Sequence, residues 1–557
     1  MERLKQKSVF PVIGDLKNFP TPDDLNDEEK MIATMVSQFV DESILPQLES
    51  LENHDYDLTK ELFTAAGELG LMGVEVPEEY GGLELGKKVS GLIAEKMGYA
   101  ASFSVAFNIH SGVGLLPYVL YGTDEQKQKY VPKLASGEWI GAYALTEPNA
   151  GSDALAAKTS AKWEEDSKTW VLSGEKQWIT NAHLANTYVV FAKGEEGITA
   201  FIVERDMPGV SVGPEEKKLG IKGSSTATLI LDQVRLSNDH VLGTVGKGHY
   251  IALNILNLAR LKLAFSNIGM AKQAMEIAIQ YGLERKQFAT KIVDFPIIQE
   301  KIANMAVAIY GVESMAYYTA HLLDEIDNNE KLVKELSNYM MDCAMNKVKA
   351  SETLDYVVDE SLQIHGGYGF MEEYDITRMY RDARINRIFE GTNEINRLTV
   401  AKALLNQYRK DSNVLKEVGK PTSRNEQFIY HAIQLIDNVV ENLPEMDRKT
   451  MDDYQDYLRV ISDMLTEVYQ MKAVLYRSLK DDANQIKEMI ADIICEEGFQ
   501  LIEMQATTLI ASIVKDEGKK AEMLASIKGT EIPIYTDLFA KKKEISKKQV
   551  ETGKYAV

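Results

Sequence analysis

A chain of 557 residues exceeds what one hydrophobic core supports, and with 45% hydrophobic and 26% charged residues, 37 Gly and only 14 Pro it leaves little room for long disordered or low-complexity tracts. The formal net charge of -22, from 62 basic against 84 acidic side chains, argues against a nucleic-acid binder. Cys343 and Cys495, the only cysteines, lie far apart in the chain, offer neither a disulfide framework nor metal-ligand spacing, and read as core thiols in a reducing compartment.

In chain order, the amino terminus carries an apolar patch from Val9 to Ile13, too short and too interrupted by Pro11 for the core of a signal peptide. No stretch approaches the roughly 20 uninterrupted apolar residues of a spanning helix, so the expected location is the cytoplasm. Residues 1–138 alternate helical periods with breaks such as Pro77-Glu78-Glu79-Tyr80-Gly81-Gly82 and predict an N-terminal helical domain. Residues 139–245 change to short β-branched and aromatic runs, among them Tyr188-Val189-Val190-Phe191 and Thr199-Ala200-Phe201-Ile202-Val203, which predict a central, largely antiparallel β domain. Helical periodicity returns over 246–409 as a helical-bundle domain, and after a polar break at Gly419, Pro421 and Ser423 a helical extension occupies the rest of 410–557. In that extension Ile429, Ala432, Ile433, Ile436, Val439, Val440 and Leu443 share one face, and Val460, Ile461, Met464, Leu465, Val468, Met471 and Leu475 another; both read as core. The fold class is α+β, multidomain.

Three segments carry chemistry. Tyr143-Ala144-Leu145-Thr146-Glu147-Pro148-Asn149-Ala150-Gly151-Ser152-Asp153 is a polar loop whose hydroxyls and backbone amides suit a heterocycle edge and a phosphate. Gln177-Trp178-Ile179-Thr180-Asn181 sets a large aromatic two positions before a hydroxyl, on one face of an extended strand, as stacking on a flat ring requires. Gln363-Ile364-His365-Gly366-Gly367-Tyr368-Gly369-Phe370 precedes Ile388-Phe389-Glu390-Gly391-Thr392-Asn393-Glu394-Ile395-Asn396-Arg397; no βαβ unit surrounds these glycines, which rejects a dinucleotide fingerprint and leaves a close backbone approach to a ligand beside a carboxylate in a turn.

ALTEPNAGSD, QWITN, LERKQF and QIHGGYGF with IFEGTNEINR, in this order and spacing, resemble the acyl-CoA dehydrogenase family over roughly residues 25 to 405. The longer carboxyl-terminal helical region resembles that of the very-long-chain members, which associate as dimers. The resemblance implies FAD and an acyl-CoA bound between the domains. It makes Tyr143, Leu145, Thr146 and Ser152 flavin contacts from the first loop, with Trp178 stacked near the ring and Thr180 at its N5 region. Arg285 and Phe288 of LERKQF, joined by Gln363 and Gly367, are similar to residues that reach the FAD of a neighbouring subunit. Thr392 and Glu394 would lie on the flavin of their own subunit, Glu394 standing where many members carry Gln. Ser152, Asn257, Arg260 and Gly391 are expected on the substrate side, Asn257 where shorter-chain members often have Asp.

Dehydrogenation between Cα and Cβ of a thioester needs a base for the α proton and a flavin for the β hydride, and the resemblance makes Glu390 that base. Some relatives carry the base on an earlier helix, at the position of Ala259, and alanine accepts no proton. The expected reaction is oxidation of a fatty acyl-CoA, of long chain, to the trans-2-enoyl-CoA in fatty acid β-oxidation, with electron-transfer flavoprotein as acceptor. An acyl-CoA oxidase and an assembly or scaffold protein that retains the fold are the alternatives. The segment from Val105 to Leu116 is expected to floor the acyl pocket.

Some residues invite blander readings. Glu390 in an isolated Glu-Gly-Thr would be a helix cap. Glu147 is expected to be structural, and His110 and His365, without ligand-spaced companions, to make ordinary polar contacts rather than hold a metal. Lys541, Lys542, Lys543, Lys547 and Lys548 read as a solvated face or frayed end, with attraction to an anionic membrane surface as the alternative.

Overall fold

The computed structural model describes residues 20–416, 420–446, 450–480, 484–528 and 533–557, so the Val9–Ile13 patch and Gly419 lie outside the described residues. The first helices start where the sequence supplies caps. Asn26 and Glu29 form a capping box for Asp27–Phe39, Asp55 caps Tyr56–Glu68, and Thr123 with Gln126 boxes Asp124–Ala135. The apolar faces of the first two bury Val36, Phe39, Leu62 and Phe63 in a core of their own, whereas Asp124–Ala135 sends Tyr130, Val131 and Leu134 into the main core.

Ala101–Tyr121 corrects one expectation, because by length and composition this segment is apolar enough to cross a membrane. It is not one regular helix: Ala101–Ile109 and Leu116–Tyr121 are joined by a π-helical turn, His110–Gly114, and most of the segment is buried inside the protein. His110 lies there with both ring nitrogens engaged, Nδ1 accepting from the Gly141 N–H at 3.0 Å and Nε2 2.9 Å from the Leu134 carbonyl, and burial pushes its pKa down to about 4. It is a neutral structural group, as expected.

The β domain comprises β1 (Gly141–Ala144), β2 (Ser160–Glu164), β3 (Thr169–Thr180), β4 (Thr187–Gly194), β5 (Gly197–Glu204), β6 (Val210–Val212), β7 (Thr226–Leu236) and β8 (Val241–Leu242). Their order is β6-β7-β3-β2-β4-β5-β8, with β1 added beside β4. Most pairs are antiparallel, but β1 runs parallel to β4 and β2 meets β4 in parallel at Ser160 and Lys193, so the sheet is mixed. Strand β3 is also not continuous in register, because a bulge lies between Lys176 and Ile179.

The helix Gly248–Glu284, 37 residues long, is the axis of the molecule. It packs against Lys87–Met97 and Met340–His365, and the approach of the first is so close that a Cβ on Gly269 would overlap the Glu95 carbonyl. After it come the two-stranded hairpin of β9 (Lys286–Gln287) and β10 (Thr290–Lys291), then the helices Pro296–Asp324 and Asn393–Lys410. The extension forms Arg424–Glu441, Gln455–Ser478, Gln485–Ile513, Glu517–Lys528 and Leu538–Thr552. Both of its apolar faces are core, with Ile429, Ile433, Ile461, Met464 and Val468 fully buried.

The basic tail is not a frayed end: Lys543, Lys547 and Lys548 form an exposed face of a packed helix, whereas Lys541 and Lys542 are half-buried and paired. Leu538–Thr552 packs on Pro296–Asp324, Lys541 pairs with Asp492, and Lys542 pairs with Glu497. The extension is locked to the bundle by Arg477, whose guanidinium meets Glu313 at 2.5 Å and Asp23 at 3.2 Å and lies 4.0 Å from the Tyr310 ring centroid. Burial alone would raise the Glu313 carboxyl, but Arg477 and Lys272 beside it hold it below the usual range. The stabilisation from this depressed group is present at neutral pH and is lost as pH falls through and below the ordinary carboxylate range. Arg477→Met, which removes one partner of a buried pair, is expected to cost about 3–5 kcal/mol, read as a lowered urea midpoint. A midpoint equal to that of the unaltered protein would contradict this assignment.

Candidate active site

Glu390 sits where the chain turns into the helix Asn393–Lys410. Glu390 and Gly391 are both left-handed, at φ 55° and 83°. For glycine this conformation is ordinary; for glutamate it is strained, and such strain persists only where the surroundings hold it. A Cβ on Gly391 would approach Asn396 Nδ2 to 3.3 Å, tighter than most contacts allow. Thr392 then caps the helix, its hydroxyl accepting from the Ile395 N–H at 3.3 Å. The cap expected of an isolated Glu-Gly-Thr is present, but threonine supplies it, and the Glu390 side chain is left for other use.

The surroundings that hold this turn are side-chain donors. Arg260 Nε donates to the Glu390 carbonyl at 3.2 Å, and Asn396 Nδ2 donates to the carbonyls of Gly391 at 2.8 Å and Thr392 at 3.1 Å. Lys347 Nζ donates to Gly391 O at 2.8 Å and to Asn393 Oδ1 at 2.7 Å. Arg260 is itself oriented by Asn257, whose Oδ1 accepts from Nη1 at 2.9 Å. Among the described residues, Glu390 Oε2 is enclosed and has no hydrogen-bond partner. Burial raises the pKa of this carboxyl, and the opposing pull of the Arg260 and Lys347 charges does not cancel it.

Tyr143, at β1, lies near enough for the Glu390 charge to add to the effect of burial in pushing its phenol well above the usual range. Its hydroxyl reaches the Ala252 carbonyl at 3.3 Å and its ring packs 5.0 Å from that of Phe191. From Tyr143 the chain enters the polar loop, which is pinned to β3. Lys176, fully buried, donates to Leu145 O at 3.1 Å and to Glu147 Oε1 at 2.7 Å. The Gln177 N–H donates to Thr146 O at 2.9 Å, a backbone bond, so the loop follows β3 whatever side chain stands at 177. Glu147 also accepts from the Thr159 N–H at 3.0 Å and is structural, as expected. Leu145 is buried in the core and its carbonyl is taken, so only its remaining backbone can face a ligand.

The β3 bulge corrects the expectation of a regular extended strand at QWITN. Trp178 lies within it, left-handed at φ 57°, and its indole is 57% exposed next to buried Ile179. Thr180 is half-buried, so both residues keep an outward side although the simple alternation is broken. Ser152 is exposed beside Gly151, where an added Cβ would meet nothing within 4 Å.

The remaining candidates form a second group. Arg285 caps the end of the helix that carries Arg260; the 25 steps from one to the other span about 38 Å at 1.5 Å per residue. Phe288 and Ala289, at φ 51° and 61°, make the two-residue turn of the β9–β10 hairpin, and Phe288 is 92% exposed at its tip. Asn-Gly is the usual choice for such a turn, so Phe-Ala is strained and unshielded. Arg285 lies 5.4 Å from the Tyr368 ring centroid, in a cleft of about 460 Å³ that Tyr281, His365, Gly366 and Gly367 also line. Gly366 and Gly367 have open space where a Cβ would stand, and Gln363 is exposed beside them. His365 bonds the Ser361 carbonyl at 2.7 Å and stacks on Tyr281, and among the described residues no cluster suited to a metal is present. Glu394 is exposed in the first turn of its helix, where its own N–H lowers its pKa. The Val105–Leu116 segment contributes Gly112 and Leu116 to a void of only about 20 Å³, lined by the charged Glu75, Lys87 and Lys262 as well as by Leu258, Leu261 and Phe265, which has room for a water.

Lys347, Asn393 and Asn396 were not legible as site residues. Lys347 lies in a helical run, Asn346-Lys347-Val348-Lys349, where a lysine ordinarily marks a solvated face, and only the fold shows it fully buried.

Family models match in series: the acyl-CoA dehydrogenase N-terminal domain over residues 26–138, the middle domain over 142–234 and the C-terminal domain over 246–405. A probable acyl-CoA dehydrogenase of Bacillus subtilis (strain 168) is 43% identical over 571 residues, covering 96% of each chain, so the similarity includes the extension. The mitochondrial very long-chain specific acyl-CoA dehydrogenase of Homo sapiens is 34% identical over 86% of this chain and 80% of its own length. The crystal structure of an acyl-CoA dehydrogenase complexed with FAD from Bacillus anthracis superposes with a TM-score of 0.92 at 43% identity, covering 97% of each chain. With three consecutive domains matched and relatives similar along the whole length, the chain belongs to the acyl-CoA dehydrogenase family.

Proposed function

We propose that the protein oxidises a long-chain fatty acyl-CoA to the trans-2-enoyl-CoA, with FAD as cofactor and Glu390 as the base that takes the α proton. The observation that carries this reading is the enclosed Glu390 carboxyl, raised in pKa and without a hydrogen-bond partner at Oε2. A desolvated carboxylate that no hydrogen bond stabilises at Oε2, and whose pKa burial raises against the pull of Arg260 and Lys347, is a strong base, and a bound acyl chain that excludes further water strengthens it.

The residues present fit FAD. Trp178 offers an exposed aromatic face, Thr146, Ser152 and Thr180 offer hydroxyls along β3 and the loop pinned to it, and Gly151 leaves its backbone open to close approach. Thr392 and Glu394 stand at the start of a helix, where backbone N–H groups favour polar ligands. When bound, FAD supplies the acceptor for the β hydride. Asn257 orients Arg260, and Arg260 with Asn396 holds the Glu390–Gly391 turn so that the carboxyl faces the substrate carbon.

The group at Arg285, Phe288, Gln363 and Gly367 lies too far along the helices to serve the same flavin ring. We assign it to the FAD of a second copy, which makes the working unit a homodimer in the cytoplasm, with electron-transfer flavoprotein as the electron acceptor. A phenylalanine 92% exposed on a strained hairpin, touched only at its edge by Phe295 at 6.3 Å between ring centroids, supports this reading, since a second copy would cover it.

Anaerobic titration of the flavin-loaded protein with acyl-CoAs of graded chain length tests the function. Bleaching of the visible flavin band is expected, at lowest concentration for long chains; no bleaching by any acyl-CoA would sink the proposal. The bleaching rate is expected to fall on acidification with a midpoint above the ordinary carboxylate range, because the raised pKa keeps Glu390 protonated to higher pH. Rapid peroxide formation with oxygen as sole acceptor would favour an oxidase instead, and a flavin-free, inactive protein would favour a scaffold.

A further inference from the structure

Lys347 is fully buried, yet neither of its hydrogen bonds goes to an anion. One acceptor is the Gly391 carbonyl and the other is the Asn393 amide oxygen, which belongs to a residue itself fixed through Nδ2 to Ser351 Oγ at 3.0 Å and Glu352 Oε1 at 3.1 Å. An ammonium kept in such a place without a bonded carboxylate is costly, and a core that needed only a filler or a neutral donor would be served by Met or Gln. The two groups it ties together flank Thr392, so its grip closes the turn that carries Glu390.

We infer that Lys347 is a positioning residue for proton abstraction: it fixes the left-handed Glu390–Gly391 pair by joining Gly391 to Asn393, and it stands as the buried counter-charge to the Glu390 carboxylate. This rests on the reading of Glu390 as the base. The charged and titratable groups facing that carboxyl are Arg260 from the helix Gly248–Glu284, Lys347 from Met340–His365 and Tyr143 from β1. Facing Lys347 are Glu390, Arg260, Glu352 and Glu394. Burial lowers the Lys347 pKa to about 7 although Glu390 pulls it upward. A cation near a carboxylate lowers the carboxylate's pKa, so removing it moves the acidic limb of the rate profile to higher pH.

The test compares Lys347→Met, Lys347→Gln and Lys347→Arg as flavin-loaded protein, reading the rate of flavin bleaching by a long-chain acyl-CoA across pH. Lys347→Met is expected to bleach about tenfold to a hundredfold more slowly, as loss of fixed geometry at a reacting group does, with its acidic limb moved to higher pH. Lys347→Arg is expected to return the limb toward its original position. Unchanged rate and limb in Lys347→Met would overturn the inference, and so would Lys347→Gln matching the unaltered protein in both, since the charge would then do nothing. If neither neutral variant accumulates as a folded flavoprotein, Lys347 is a folding residue and the inference fails. Failure of the underlying reading looks different: the unaltered protein is not bleached, or Glu390→Gln is bleached as fast as it.

Discussion

Glu390→Gln is expected to slow flavin reduction by acyl-CoA by about 10²–10⁴-fold, the range that a positioned general base contributes, while FAD content stays that of the unaltered protein. The amide has the shape of the carboxylate but no basicity. Because Oε2 has no hydrogen-bond partner, the exchange breaks no existing bond of that atom, and the turn is held through backbone carbonyls rather than through the Glu390 side chain. The fold and the acyl-CoA site should therefore survive, and binding of an unreactive acyl-CoA analogue separates lost chemistry from lost affinity. A reduction rate within about threefold of the original would contradict the assignment, and Ala259 leaves no carboxylate at the other position the family uses.

Gly367→Glu is expected to yield a folded protein nearly free of FAD. Gly367 is exposed, its backbone needs no left-handed conformation, and an added Cβ meets nothing within 4 Å, so the cost to the fold should be within about 0.5 kcal/mol. The new carboxylate would stand in the cleft beside Arg285, which we assign to the FAD of the second subunit, a cofactor that is anionic through its phosphates. Like charges set against each other at an interface cost several kcal/mol, which corresponds to an FAD affinity weaker by about 10²–10³-fold. Flavin absorbance per protein and sedimentation would be measured together. Full FAD content would remove the cleft from the cofactor site, and an unchanged dimer without FAD would confine its role to the cofactor.

The domain succession and the segments around Glu390, Trp178 and Gly367 were legible because glycines, hydroxyls and carboxylates keep a fixed order along the chain. What escaped depends on neighbours distant in sequence. The left-handed conformations of Trp178, Glu390 and Phe288 run against local preference and are set by the bulge, the buried donors and the hairpin around them. The parallel pairing of β1 with β4 joins strands separated by β2 and β3, which strand periodicity does not reveal. Lys541 and Lys542 looked like solvated charges and Lys347 gave no signal of its own, and their pairing or burial follows from helices that meet only in the folded chain. Ala101–Tyr121 shows the converse, an apolar run that fills the interior of the protein although its composition also suits a membrane.

The central claim is that Glu390 removes the α proton, and the most direct measurement isolates that step from hydride transfer. An acyl-CoA with sulfur in place of the β carbon has no β hydride to give, so loss of deuterium from its labelled α carbon into water reports proton abstraction alone. The unaltered protein is predicted to wash out the label and Glu390→Gln to retain it; washout at equal rates in both would contradict the account.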